Sequence, residues 1–401
     1  MKIIQTLTVV IVALLLSTVD VSAQQPATGQ WQGQLEYEEV DVPFTFEIKY
    51  DDKKPQVILI NGDERIVLKK VKIEGDSILI PLKPFDAVLK AKYSEHEMKG
   101  WWKKGYKTKA IPFKATYGVP RFSPRGQPTI KILEKLSVTL KPENGAEYPG
   151  VGIFNVMDNG KVTGTLLTGV GDFRYFEGVL QGDSLKISAF DGTHGFMIVG
   201  IKNADGWSGS FYFDSNYKET WTATEDPDAL LKEQFVKIEP GQRPYFDILT
   251  AGDPSVKLNE DDYFDKVLII QLFGTWCPNS FDQTNYLTEW YKKNSDRKVE
   301  ILAASFEVNF SKEYGISRIN DYQNDMEVPY KVVLGGRQNK GDAALAFPFL
   351  DKINAFPTLV IIDKNGFARY TCDYFNGPAT GVLYNQFDTN FNQIIDDLLA
   401  E

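Results

Sequence analysis

From residue 29 to about residue 224, short runs alternate apolar and polar positions and are separated by turn residues. The clearest runs are five or six residues long and are bounded by Asn-Gly, Gly-Asp or Asp-Gly; they cover 43–48, 56–60, 77–82, 184–188 and 209–213. Side chains of a strand point alternately to its two faces, and these dipeptides favour tight hairpins. The pattern therefore predicts an all-β region of antiparallel strands with almost no helix.

A weak internal repeat runs through this β-rich region. Four short motifs occur twice in the same order: Gly62-Asp-Glu-Arg65 and Gly171-Asp-Phe-Arg174, Gly75-Asp-Ser77 and Gly182-Asp-Ser184, Phe85-Asp86 and Phe190-Asp191, Gly100-Trp-Trp102 and Gly209-Ser-Phe211. Repeated motifs at a nearly fixed spacing indicate related structural units. We predict two β units over 24–127 and 128–232 that are candidates for a duplication; chance similarity among turn-rich strands is the alternative.

The pattern changes type after the polar, proline-bearing stretch 224–244, where we place a domain boundary. A near-continuous apolar strand, of the kind that is buried on both faces of an α/β sheet, opens the next part. The predicted elements are, in order, a strand at 266–273, a helix at 281–292, a strand at 298–306, intervening helices, a hairpin at 358–371 and a closing helix at 387–399. This order predicts a separate α/β domain with a mixed sheet over 233–401.

Cys277 stands in the turn that leads from the first apolar strand into the following helix. Unpaired backbone N–H groups and the helix dipole at a helix N-terminus favour thiolate over thiol, so we expect a nucleophilic form near neutral pH. Pro278 suits the first helical turn because its missing N–H has no partner there. Pro357 precedes another apolar strand, where a cis peptide bond would turn the chain toward Cys277.

Several motifs of this domain together resemble the TlpA-like thiol-disulfide oxidoreductases of the thioredoxin superfamily, in the exported bacterial form with a β-rich N-terminal region. They are Phe273-Gly-Thr-Trp-Cys277-Pro-Asn279, Asn354-Ala-Phe-Pro357-Thr358, Ile362-Asp-Lys-Asn-Gly366 and Phe375-Asn-Gly-Pro-Ala-Thr-Gly381. The resemblance implies a thioredoxin-like fold over 233–401 and Cys277 as the attacking cysteine. It also implies a groove for a partner polypeptide, lined by Trp276, Pro278, Phe356, Pro357 and Thr358.

The chain departs from this family where a second cysteine would stand, because position 280 is Ser280. A serine hydroxyl can hydrogen-bond to a thiolate but cannot form a disulfide. The usual cycle between a dithiol and a disulfide is therefore not possible between positions 277 and 280. Three readings follow. An external thiol resolves the mixed disulfide on Cys277, or Cys372 at the end of the last strand is a candidate resolver, or redox activity is lost and the fold serves binding or support.

The N-terminal residues 1–23 are typical of an export signal, with a lysine, an apolar run and small residues before Gln24. The run is too short for a comfortable membrane span, and no later segment approaches twenty apolar residues. We therefore predict export to the periplasm of a Gram-negative bacterium, with no membrane span in the mature protein.

Charge and composition bear on partners and cofactors. A formal net charge of -10 argues against a nucleic-acid partner. One small lysine cluster is interpreted as a solvated hairpin edge: Lys99, Lys103, Lys104, Lys107 and Lys109. His96 and His194 are isolated, so we predict no metal site, and we expect no cofactor. Expected partners are a disulfide-bearing protein or peptide and an external thiol reductant.

Glu307 follows the second strand of the α/β domain and has two readings. Its carboxylate is placed where it can assist proton transfer at the thiol, or it is a solvated residue at a strand end. The sequence favours the second reading.

Overall fold

A computed structural model describes residues 25–123, 135–231, 235–309 and 311–401. The predicted export signal at 1–23 and the predicted unit junctions at 127/128 and 232/233 lie outside the described residues. Within the described ranges, no helix is both long and apolar enough to cross a membrane.

The first β unit is an open antiparallel sheet. Its strands in the described residues are β1 Gly29–Glu36, β2 Asp41–Asp51, β3 Lys54–Asn61, β4 Glu64–Leu68, β5 Lys72–Glu74, β6 Ser77–Pro81, β7 Ala87–Tyr93, β8 Glu97–Lys104 and β9 Ile111–Tyr117. Alternate side chains of β1 and β2 are buried, as the alternating pattern predicts. The core on that face is rich in aromatic side chains, including Trp31, Phe44, Phe46 and Trp102.

The second β unit is also antiparallel, but its sheet closes on itself because β11 pairs with both β10 and β12 while β12 pairs with β14. Its strands in the described residues are β10 Lys135–Pro142, β11 Tyr148–Val156, β12 Lys161–Thr168, β13 Gly171–Asp172, β14 Phe176–Gln181, β15 Ser184–Phe190, β16 Gly195–Asn203, β17 Gly206–Phe213 and β18 Lys218–Glu225. Phe176, Trp207 and Phe211 fill its core.

The two units share one strand order. Along the sheet, β4-β3-β2-β1-β9-β8-β7-β6-β5 has its counterpart in β13-β12-β11-β10-β18-β17-β16-β15-β14. The repeated motifs fall at equivalent turns, and the fourth falls in the eighth strand of each unit. There a Cβ on Gly100 would meet the Lys90 carbonyl oxygen at 2.0 Å, and one on Gly209 would meet that of Val199 at 1.9 Å. The two units therefore share one strand order, and their origin by duplication stays a prediction.

The third part is an α/β domain with a mixed sheet in the order β19-β24-β23-β20-β21-β22. Its strands are β19 Val236–Lys237, β20 Val267–Phe273, β21 Val299–Glu307, β22 Lys331–Arg337, β23 Thr358–Ile362 and β24 Ala368–Cys372. Its helices are α1 Phe246–Leu249, α2 Pro278–Asn294, α3 Lys312–Met326, α4 Lys340–Ala344 and α5 Val382–Ala400, with short 3₁₀ turns at Glu260–Tyr263 and Pro378–Thr380.

The predicted elements of this domain are confirmed to within a few residues, except that α5 begins five residues before the predicted helix and α2 three before. β20 and β21 are parallel, and β23 runs antiparallel to β20 and β24. Alternate residues of β20 enter two different cores, so the strand is buried on both faces. The predicted thioredoxin-like arrangement is therefore present over this part of the chain.

The α/β domain packs against both β units. The ring of Phe281 on α2 lies 5.7 Å from that of Phe85, between their centroids. The Tyr314 hydroxyl on α3 donates to Asp86 Oδ2 at 2.7 Å. From the second β unit, Arg174 forms an ion pair with Asp282 of α2 at 2.9 Å. These contacts fix the β units directly beside the end of α2 that carries Cys277.

Candidate functional site

The turn before α2 places Cys277 at the N-cap of that helix, with φ −99° and ψ 121°. Pro278 follows in the first helical turn, as the sequence predicts. Gly274 is needed in this turn, because a Cβ there would lie 2.2 Å from Nε1 of Trp276. The strand-to-helix turn therefore aims the cysteine side chain at the segment that precedes β23.

The thiol of Cys277 donates a hydrogen bond to the carbonyl oxygen of Phe356 at 3.3 Å. The Phe356–Pro357 peptide bond that follows is cis. The hydroxyl of Thr358 donates to the carbonyl oxygen of Ala355 at 2.8 Å and braces the same turn. Cys277 and Phe356, 79 positions apart in the sequence, are thus brought together.

Trp276 covers one side of the thiol turn. Its Nε1 donates to the carbonyl oxygen of Phe306 at 2.9 Å, which satisfies the polar end of a half-buried indole. Its ring meets Phe356 edge-on at 6.2 Å between centroids, and Phe356 stacks on Phe306 at 5.5 Å. These aromatic contacts fix the position of Phe356 and of the carbonyl group that the thiol meets.

Ser280 lies one turn into α2 and is fully buried. Its hydroxyl oxygen accepts from the Gly274 N–H at 3.4 Å. A hydrogen bond from Ser280 to Cys277 acts to lower the pKa of that thiol. Ser280 therefore supplies a polar neighbour to Cys277 in the place where a second thiol would make a disulfide.

Burial has a larger effect on the pKa of the Cys277 thiol than the helix N-terminus has. The residue is 8% exposed, and burial raises the pKa of its thiol above the ordinary value, against the lowering effect of Ser280 and of the Ser280 and Asn279 N–H groups. The expectation of a thiolate near neutral pH is wrong for this arrangement, because loss of solvation destabilises the thiolate more than the helix N-terminus stabilises it.

Cys372 is not brought to Cys277. Neither cysteine forms a disulfide in the part of the chain that the structure describes. Cys372 belongs to the core cluster of β20 residues Val267 and Ile269, whereas Cys277 belongs to the cluster of Leu268 and Ile270, on the other face of the sheet. Its Sγ donates to the carbonyl oxygen of Tyr374 at 3.0 Å. The central sheet thus stands between the two sulfur atoms.

Glu307 is 1% exposed, so the interpretation of a solvated strand-end residue is wrong. Its carboxylate accepts from the Thr275 N–H at 3.0 Å and from the Thr275 hydroxyl at 2.8 Å, and it also accepts from the hydroxyl of Ser305. Buried carboxylates need such donors. Glu307 holds the turn that precedes Cys277.

The second β unit contributes residues to the site that sequence reasoning missed. Arg174 is 4% exposed and donates from Nη1 to the carbonyl oxygen of Pro278 at 3.0 Å, next to the thiol. The motif that contains Arg174 is one of the repeated motifs, which is the only sequence signal that singles it out. Nothing in the spacing shows that the motif meets α2.

An Asp-His pair lies on the same side of Cys277. Asp191 Oδ1 accepts from the N–H groups of Thr193 and His194, and its Oδ2 lies 3.4 Å from His194 Nδ1. Burial lowers the pKa of His194, with a further contribution from Lys104, so the imidazole is neutral near neutral pH. Burial raises the pKa of Asp191, but His194 and Arg174 outweigh it and leave that pKa below its usual range.

Several carboxylates surround the guanidinium of Arg174. Its guanidinium pairs with both Asp282 and Glu64, and Asp172 lies close by. Burial, with the neighbouring carboxylates and against the pull of Arg174, raises the pKa of Asp282 to about 8. Asp282 therefore binds its proton more tightly than an ordinary aspartate does.

Lys104 is 5% exposed and lies 3.7 Å from Asp214, so it is not part of a solvated hairpin edge as interpreted. Within the described ranges, no three His, Cys, Asp or Glu side chains are grouped so that they could hold a metal ion.

Comparison with solved structures gives matches to thioredoxin-family thiol-disulfide proteins. A thiol:disulfide interchange protein from Chlorobium tepidum is 17% identical, with 43% of this chain and 99% of that chain covered and a TM-score of 0.28. A DsbF homologue from Corynebacterium diphtheriae is 18% identical, with 41% and 97% covered and a TM-score of 0.28. A secreted thiol-disulfide isomerase from Corynebacterium glutamicum is 14% identical, with 40% and 92% covered and a TM-score of 0.27. No protein-family model and no curated protein matches the chain.

Proposed function

We propose that this chain carries out thiol-disulfide exchange in the cell envelope through Cys277 alone. The observation that carries the proposal is the placement of the thiol at the N-cap of α2, 3.3 Å from the carbonyl oxygen before cis-Pro357, with Ser280 where a second thiol would stand. The envelope location rests on the export signal predicted for residues 1–23.

The proposed cycle uses one protein thiol and two exchange steps. Cys277 loses its proton to solvent and attacks one sulfur of a disulfide, so that the substrate S–S bond breaks and a mixed disulfide with Cys277 forms. The other half of the substrate leaves as a thiolate. An external thiol then attacks the mixed disulfide and regenerates Cys277. Electrons balance because each step exchanges one thiolate for another.

The test is to trap and then release the mixed disulfide. The purified chain is incubated with oxidised glutathione, 4,4′-dithiodipyridine or insulin, and adducts are located by peptide mass spectrometry. We expect one adduct per chain, on Cys277, that an added thiol removes. Cys277→Ser should abolish it and Cys372→Ala should leave it unchanged. Absence of any Cys277 adduct from all three reagents at alkaline pH would refute the proposal.

A second candidate is a thioredoxin-like binding or support module without redox turnover. The raised pKa of the buried Cys277 thiol favours it, because the thiolate is the nucleophile. This candidate predicts that Cys277 stays unmodified by every disulfide while the fold remains intact by circular dichroism. The trapping experiment therefore separates the two functions directly.

A further inference from the structure

A cavity of about 250 Å³ lies between the second β unit and the thiol of Cys277. Its walls come from both parts of the chain, so the α/β domain alone would lack half of it. The lining is mainly apolar and aromatic, with Val170, Phe173, Phe196 and Phe213 on one side and Trp276 and Phe356 on the other.

The turn around β13 forms the roof of this cavity and is fastened to the α/β domain. Asp172 Oδ1 accepts from the Gly377 N–H at 2.9 Å. Arg174 donates to Pro278 O and pairs with Asp282. At Gly171 there is no room for a side chain, because a Cβ would lie 2.2 Å from Asn279 Nδ2. The roof therefore contacts the residues next to Cys277, and a polypeptide strand bound at the same residues would have to displace it.

The lining and the size of the cavity indicate the class of ligand. Apolar and aromatic side chains form most of the walls, and the space is too small for a folded partner. A small molecule with an apolar body fits this site.

We propose that this cavity binds a low-molecular-weight disulfide with an apolar body, and that the roof excludes polypeptide disulfides from Cys277. The inference rests on the proposed function and narrows its substrate class. In the cavity Cys277 attacks one sulfur of the small disulfide, one half stays as the mixed disulfide, and the other half leaves as a thiolate. An external small thiol regenerates Cys277, and its proton is exchanged with solvent.

The first experiment compares rate constants for a small aromatic disulfide and a protein disulfide. 4,4′-Dithiodipyridine is a small, neutral, aromatic disulfide, and insulin supplies polypeptide disulfides. Each reagent is measured with the full chain and with free cysteine, and adducts are assigned to Cys277 by mass spectrometry. We expect the chain to prefer the small reagent over insulin roughly tenfold more than free cysteine does. A preference equal to that of free cysteine, or reversed, overturns the proposal.

A second experiment places a charge at the mouth of the cavity. Val170 is 50% exposed, so Val170→Glu leaves the core intact while it adds a carboxylate to an apolar wall. Ile201→Glu is the matched control, since Ile201 is 54% exposed and does not line the cavity. We expect the reaction with 4,4′-dithiodipyridine to slow roughly tenfold in Val170→Glu only.

The outcomes separate the two proposals. Equal rates for the Val170 and Ile201 variants overturn the cavity as the binding site while exchange at Cys277 stands. Reaction with insulin but not with the small reagent overturns the substrate class alone. Failure of every disulfide to modify Cys277 overturns the proposed function itself.

Discussion

At the scale of single residues, Cys277 is subject to two opposed effects. The N-terminus of α2 and Ser280 stabilise a thiolate, while a side chain that is 8% exposed loses the solvation that an anion needs. The second effect is the larger, and the pKa is raised. Reactivity at Cys277 therefore depends on conditions or ligands that supply the lost solvation.

The raised pKa makes the alkylation of Cys277 strongly dependent on pH. In Cys372→Ala, we expect iodoacetamide to modify Cys277 more slowly at neutral pH in the folded protein than in the urea-unfolded chain, with the two rates converging as pH rises. Mass-spectrometric time courses measure both rates. Faster modification of the folded protein at neutral pH would show that the thiolate is stabilised instead.

Ser280 is the residue that separates this site from a dithiol. We expect Ser280→Cys to form a disulfide between position 280 and Cys277 on mild oxidation and to raise dithiothreitol-coupled insulin reduction roughly tenfold or more once the roof is loosened by low urea. Ser280→Ala is the control and should form no such bond. Thiol titration of the unfolded chain after oxidation measures the result: one free thiol, that of Cys372, is expected, and three free thiols in Ser280→Cys would contradict the prediction.

At the scale of elements, the sequence patterns predicted well wherever one element buries one face. The closing helix α5 shows this, since Phe387, Phe391, Ile395 and Leu398 are all buried on one side. Its aromatic side chains meet those of α2, and Phe391 lies edge-on to Trp290 at 5.2 Å between centroids. The sequence predicted this helix over 387–399 without knowledge of its partner, and the structure shows which face is buried.

Truncating that inner face should destabilise the α/β domain. Phe391→Ala removes a fully buried ring, and we expect its free energy of unfolding to fall by about 3–5 kcal/mol. Asn390→Ala, at an exposed position of the same helix, should change it by less than about 0.5 kcal/mol. Urea unfolding followed by circular dichroism measures both. A similar loss in the two variants would mean that α5 does not pack as described.

At the scale of the whole molecule, the contact between the second β unit and α2 determines the site. Arg174 and Pro278 are 104 residues apart, and their hydrogen bond brings a repeated β motif against the cysteine turn. The same contact buries Asp282 and surrounds one guanidinium with several carboxylates. The interface therefore contains a carboxyl group, that of Asp282, whose protonation affects the stability of the packed contact.

The stability of the whole chain should fall as pH rises through the range set by Asp282. Its folded pKa is about 8 and lies far above the ordinary value of 3.8, so the folded protein holds a proton that the unfolded chain has lost. Stability from this group is present at low pH and is lost as pH rises from about 4 to about 8.

Thermal unfolding at about pH 6 and about pH 9 tests this. We expect the midpoint of thermal unfolding of the native chain to be lower at the higher pH. The decrease should be smaller in Asp282→Asn, and it should be unchanged in Asp183→Asn, which lies at an exposed turn. An unchanged pH dependence in Asp282→Asn would assign the effect to another group.

The sequence by itself determined the elements and the position of the cysteine turn. Alternation and turn dipeptides predicted the β strands, a doubly buried strand and the order of the elements predicted the α/β domain, and Pro278 and Pro357 marked the two turns that meet at Cys277. These features depend on neighbours along the chain or on one buried face, which sequence patterns record directly.

Only the tertiary structure decided how the thiol is surrounded. It brought Arg174, Asp191 and His194 over Cys277, buried Glu307 and Lys104, and placed Cys372 on the other face of the sheet. Each of these outcomes depends on contacts between distant segments, and desolvation depends on everything packed around a group rather than on its position in a motif. That is the physical reason why the sequence placed the cysteine correctly and misjudged its ionisation.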